Sequence, residues 1–276
     1  MAPLAQTLAL LAMAMATTAE DVVTLDMAPD SFDDQYRDCG PAMTAALPSL
    51  NHSEFQQNKK FAEVWVKAVA KWQRRGPPDS PLSPDQATAI MAFSMDGLHS
   101  RFNDAMRAAG RSRQEYRDNF HFKTLHFLLT DALATLRDTQ KGQCLDVFQR
   151  VCRIQFNTQQ GDTVRLGEFV PAFLSKPTGE CSNDTVVKLR TCHGVEIQFF
   201  IEYLEEKVVL IPPFETFRVT EVTREGDKTQ IKLQSTGTFS KYNCEWLRGG
   251  SAPRATFHFG GLLLATTALA VATGIL

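Results

Sequence analysis

The apolar residues of this chain change period once, at Cys144, and that change limits what it can fold into more than any other feature. Before it they recur at helical spacing. Phe61, Val64, Trp65, Ala68 and Trp72 share one stripe, Ile90, Met91, Met95, Leu98 and Phe102 a second, and Phe122, Leu125, Leu129, Ala132 and Leu136 a third. After it, β-branched runs alternate with turns over 145–156, 163–169, 185–191, 195–204, 208–211, 216–222 and 228–235. Helices followed by strands predict an α+β domain, its N-terminal helical half packed on a β core. Helix starts are expected at Ser53-Glu54-Phe55-Gln56 and Ser83-Pro84-Asp85-Gln86, both capping-box patterns, the second with proline at the first helical position. Gly76-Pro77-Pro78, Gly110 and Gly142 supply stops. Residues 21–50 read as irregular structure pinned by a bridge at Cys39. The stripes read as core, not as a cofactor box.

The two ends of the chain say where such a domain would work. Residues 8–16 (LALLAMAMA) have the length of a signal-peptide apolar region, too short to span a bilayer. Residues 1–19 are therefore expected to be a leader, and 20–250 a single domain. Gly249-Gly250-Ser251 are small, a short polar spacer runs to His258, and 260–276 carry no charge. That order predicts a glycolipid-anchor signal over 251–276 and a lipid-anchored or secreted extracellular protein. An oxidising compartment suits the even count of 6 cysteines. It also makes the sequons at Asn51 and Asn183 plausible glycosylation sites. A net charge of -2 gives no electrostatic case for nucleic acid. No Gly-X-Gly-X-X-Gly follows a strand, no Walker or HExxH pattern occurs, and the His residues lack ligand spacing, so no metal site is expected.

Residues 205–217 (EEKVVLIPPFETF) read as an acidic turn, a buried strand, and a sharp stop at Pro212-Pro213, since proline gives no N–H to a ladder. The stretch resembles the glutamate motif of the vertebrate arginine-specific mono-ADP-ribosyltransferases, in which Glu-X-Glu runs directly into Val-Leu-Ile-Pro-Pro. Further blocks resemble the same family in order: 115–133 (EYRDNFHFKTLHFLLTDAL), 162–169 (DTVRLGEF), 189–200 (LRTCHGVEIQFF) and 239–247 (FSKYNCEWL). The resemblance covers most of the mature chain. It implies a β-sandwich core of the ADP-ribosyltransferase type, NAD as donor substrate with no tightly bound cofactor, protein arginine side chains as acceptors, and a monomer.

The resemblance also places the chemistry. Loss of nicotinamide leaves positive charge on the ribose, as in other glycosyl transfers. The second glutamate of the motif stabilises that charge, the first engages the guanidinium, a serine orients the site and an arginine holds the dinucleotide. With Val209 to Pro213 fixing the register, the first glutamate is Glu206 and the second is Val208. Val147-Phe148-Gln149-Arg150-Val151 puts Gln149 where the arginine belongs, and a strand neighbour such as Arg150 should point the other way. Val170-Pro171-Ala172-Phe173 stands in place of the serine-rich run, with Pro171 at the orienting serine. Ile201 matches the serine before the acidic turn. The expectation is a family member impaired in or lacking transfer, or a non-enzymatic surface recognition paralogue on the same fold. By the same resemblance Cys39 pairs with Cys244 and Cys144 with Cys192, which leaves a bridge between Cys152 and Cys181 as a further expectation.

Overall fold

The computed structural model describes residues 21–75, 80–178, 184–201, 207–226 and 228–248. After a short strand β1 (Asp21–Thr24), the helical half comprises α1 (Gly40–Gln57), α2 (Lys59–Arg75), α3 (Pro84–Phe93), α4 (Leu98–Ala109), α5 (Arg113–Asn119) and α6 (Lys123–Thr139). Then follow β2 (Leu145–Cys152), β3 (Ile154–Asn157), β4 (Thr163–Arg165), β5 (Val170–Phe173), β6 (Asp184–Thr191), β7 (Val195–Glu196), β8 (Val208–Ile211), β9 (Glu215–Glu225), β10 (Lys228–Thr238) and the single turn α7 (Glu245–Arg248). Among the described residues no helix is long and apolar enough to cross a membrane.

The helix ends partly depart from expectation. Ser83 caps α3 as its capping box predicts, its hydroxyl accepting from Gln86 and its N–H reaching the Gln86 side chain at 2.7 Å. The stripe from Ile90 to Phe102 belongs to two helices, α3 and α4, broken at Gly97, where a φ of 68° suits glycine. Ser53 starts nothing. It lies inside α1, a helix that replaces the irregular structure expected before residue 50. Glu54 instead caps a different helix, accepting from the backbone N–H of Lys123 (2.5 Å) and Thr124 (2.9 Å) at the start of α6. An acidic group suits a helix N-terminus. Burial raises the Glu54 pKa, and the Lys123 ammonium works against that rise.

An eight-stranded sheet runs in the order β4-β9-β10-β6-β2-β5-β8-β7, while β1 pairs in parallel with β3. Val164 of β4 and Phe217 of β9 share one apolar cluster with Val209 and Ile211 of β8, near the other end of that order. Strands so far apart can meet only if the sheet curls over itself, which makes a sandwich. On its outer face Val195, Val208 and Leu210 join the helices in a second cluster.

That second cluster holds an ionisable ring. His126 is fully buried, with Tyr36 Oη 2.8 Å from Nδ1 and the Phe32 carbonyl 3.3 Å from Nε2. The arrangement satisfies one neutral tautomer, the phenol donating to Nδ1 and Nε2–H donating to the carbonyl. Burial pushes the His126 pKa from 6.5 down to about 3, the Phe32 carbonyl opposing weakly. The unfolded chain therefore takes up this proton first, so stability is held above pH 6.5 and lost as pH falls toward the folded value. By linkage His126 should remove about 2 kcal/mol of stability between pH 7 and pH 5. Denaturant titrations at both pH values measure the loss, and an imidazolium NMR signal from His126 in folded protein at pH 5 would contradict it.

One bridge joins the two ends of the domain and another joins the start of β2 to the end of β6. Cys39–Cys244 spans 205 residues and Cys144–Cys192 spans 48, the pairings the family resemblance implied. In the loop-entropy picture each contributes on the order of 4–5 kcal/mol. Cys152 is also disulfide-bonded and no described cysteine is free, while Cys181 lies outside the described residues.

Candidate functional site

The motif positions fall on strands that the fold makes neighbours. β5 lies between β2 and β8, meeting β2 at the single pair Phe148 with Phe173 and β8 along Val170–Phe173. Phe173 in turn faces Val208, so Phe148, Phe173 and Val208 form one cross-strand row. Side chains of such a row share a face of the sheet.

That face is apolar at its centre. Val208 is 1% exposed and packs into the helical cluster, with Phe173 packed against it. The backbone of Val208 is occupied as well, its N–H reaching Gln198 Oε1 at 3.3 Å and its carbonyl accepting from Ile197 at 2.9 Å. Pro171 pairs with Leu210 and is exposed. Ile201 is half-buried against the same cluster. Lys207 keeps its ammonium 3.6 Å from Glu196, and its carbonyl takes the Leu174 N–H at 3.2 Å. Glu206 and the sequon residue Asn183 lie outside the described residues. Asn51 is half-buried inside α1.

Gln149 and Arg150 part company, as alternation requires. Gln149 pairs with Val187 and lies on the sandwich-interior face with Val147 and Leu189. There it lines a cavity of about 670 Å³ with Arg165, Glu168 and Val170. Arg150 falls on the other face, in the row direction of Phe173 and Val208, with no register shift along β2 and β6 to move it. Its guanidinium donates to the carbonyls of Thr178 (2.8 Å) and Pro177 (3.1 Å). The two positions thus serve different surfaces. In the row of Val208 and the next, Phe148, Arg150, Pro171, Phe173 and Leu210 offer neither carboxylate nor hydroxyl, and Asp146, on the same face of β2 beyond Phe148, is paired with Arg190 at 3.5 Å.

Comparison with known proteins gives the family. A sequence model described as NAD:arginine ADP-ribosyltransferase matches residues 25–241. This chain belongs to that family. The erythroblast NAD(P)(+)–arginine ADP-ribosyltransferase of Gallus gallus is 47% identical over 231 residues, 82% of this chain and 77% of the relative. The GPI-linked NAD(P)(+)–arginine ADP-ribosyltransferase 1 of Mus musculus is 44% identical over 238 residues, 81% of this chain and 73% of the relative. In three dimensions the crystal structure of the eucaryotic mono-ADP-ribosyltransferase ART2.2 superposes with a TM-score of 0.69 at 30% identity, covering 80% of this chain and 98% of that one. The ADP-ribosyltransferase fold and NAD as the family's substrate follow from these likenesses.

One surface escaped the sequence reading. Beyond the end of β8, past the proline pair, lies a second cavity of about 290 Å³ lined by Arg37, Arg137 and His193. Its lining comes from segments far apart in the chain, so no local motif announces it.

Proposed function

We propose that this chain keeps the transferase fold and has given up transfer, acting as an extracellular recognition module. The observation that carries the reading is Val208. At the position the family resemblance gives to the second glutamate there stands a valine buried in the helical core, cross-paired with Phe173. The chemistry explains why this matters. Charge develops on the ribose as nicotinamide leaves, and a preorganised group aimed at it is typically worth ~10²–10³ in rate. Pro171 brings no hydroxyl, and Gln149 brings no permanent positive charge for the donor. Such losses act on one transition state and need not add, yet each is severe alone.

The reading extends to location. Mouse and human relatives are described as GPI-linked, and the C-terminal signal over 251–276 suits the same anchor, with the leader over 1–19 and a single domain over 20–250. Donor binding is a separate matter from transfer. A variant of ART2.2 in which a glutamate is replaced by isoleucine is described in complex with NAD. Incubating the purified protein with labelled NAD and a small guanidino acceptor should therefore yield no ADP-ribosylated product above background, whatever NAD it binds. Robust transfer by the unmodified protein, abolished by Glu206→Ala, would overturn the reading.

A further inference from the structure

We propose that the cavity past the end of β8 is a binding site for a tetrahedral oxyanion, a phosphate or sulfate group. It lies at the opposite end of β8 from Val208, so it is not the donor site of the family. Four kinds of observation meet there.

The first is charge without a partner. Arg37 and Arg137 both line the cavity, and among the described residues neither is ion-paired with a carboxylate. Each is held instead by neutral acceptors. Arg37 Nη2 donates to Thr238 Oγ1 at 2.9 Å and to Gln35 Oε1 at 3.1 Å, and Arg137 Nε donates to the Cys192 carbonyl at 2.8 Å. Tethering of this kind fixes the planar forks and leaves other N–H groups unspent, which suits bidentate recognition of an oxyanion.

The second is an orphaned hydroxyl. Thr130 is 5% exposed, lines the cavity from the same face of α6 as Arg137, and its Oγ1 has no hydrogen-bond partner. Buried polar atoms are nearly always satisfied, so one that is not, in the wall of a basic cavity, points to an acceptor that fills it. Third, His193 adds a neutral donor or acceptor: burial, then Arg137 and Arg37, push its pKa down to about 4. The carboxylate nearest its backbone, Glu215, is buried and engaged with Thr191 Oγ1 and the N–H groups of Cys192 and His193. Fourth is size. At about 290 Å³ the space holds a small anionic group with some water and is at the lower limit for an organic ligand.

The test titrates the purified protein by calorimetry with inorganic phosphate, inorganic sulfate and acetate, chloride holding the ionic strength constant. Phosphate or sulfate should saturate with a Kd of about 5 mM or tighter, and acetate at least about tenfold more weakly. Replacing both arginines, Arg37→Gln with Arg137→Gln, should weaken binding by at least about tenfold. Because Arg137 also supports the Cys192 turn, Thr130→Val provides a variant that keeps both charges. It should weaken binding several-fold while leaving the melting temperature unchanged or raised. Repeating the titration with a phosphorylated and a sulfated monosaccharide tells which ester is the better fit. Absence of saturation at about 50 mM, equal affinity for acetate, or unchanged affinity in the folded variants would overturn the proposal.

Discussion

Val208→Glu, which puts back the glutamate of the family motif, should give no detectable transfer and should cost about 3 kcal/mol of stability or more. The side chain at 208 is 1% exposed and belongs to the apolar cluster that also holds Val195, Phe200 and Leu210. A carboxylate there would be desolvated without a waiting cation. Lys207 is paired with Glu196 on the neighbouring strand β7, and the Arg150 fork is taken by the Thr178 and Pro177 carbonyls. Burial alone would raise the new pKa, so much of the group would be neutral at pH 7 and unable to meet a cation. Adding Phe173→Ser should recover part of the lost stability, because it removes the ring cross-paired with position 208 and supplies a hydroxyl beside the carboxylate. Urea denaturation of the single and double variants gives the coupling, and the labelled-NAD assay gives the rate. A Val208→Glu protein as stable as the parent and active would mean that this position opens to the donor.

The same strands show what a sequence can and cannot reveal. β8 was legible residue by residue, since a short apolar run closed by two prolines has few other readings. The helical stripes were legible because Phe61, Val64, Trp65, Ala68 and Trp72 are all buried in α2. α1 was not, for Met43, Leu50 and Glu54 are too sparse a buried set to make a stripe, and Pro48 inside it argues against a helix. β5 is a motif in the sequence and not one of its expected strands, and Pro171 is a residue that argues against a strand. The structure tolerates it because β5 meets β2 at only one pair, so a missing N–H removes little from that ladder. The alternation of Gln149 and Arg150 could be predicted. Which of the two faces the sandwich interior could not, since both faces of β2 carry mixed residues and only the pairing of Gln149 with Val187 decides it.

Arg165→Met should be the most damaging single change outside the core apolar set, costing about 3–5 kcal/mol. The residue lies in the 162–169 block, where sequence alone gives it no special standing. In the structure its side chain is 1% exposed and paired with Asp33, itself 0% exposed. Its remaining N–H groups bind the carbonyls of Met27 (2.8 Å), Ala28 (3.1 Å) and Phe239 (3.1 Å). Asp33 also receives the N–H groups of Lys241 (2.9 Å) and Tyr242 (3.0 Å). One ion pair thus ties the N-terminal segment, β4 and the segment after β10 together. Methionine would fill much of the volume but leave a buried carboxylate and several carbonyls without their donor. Asp33→Leu should be comparably harmful, since it strands the guanidinium instead. The two together should cost clearly less than the sum of the singles, because the second change removes the charge that the first left unpaired. Denaturant titrations of the singles and the double close this cycle; additive losses would show that the residues act through their separate backbone contacts and not as a pair.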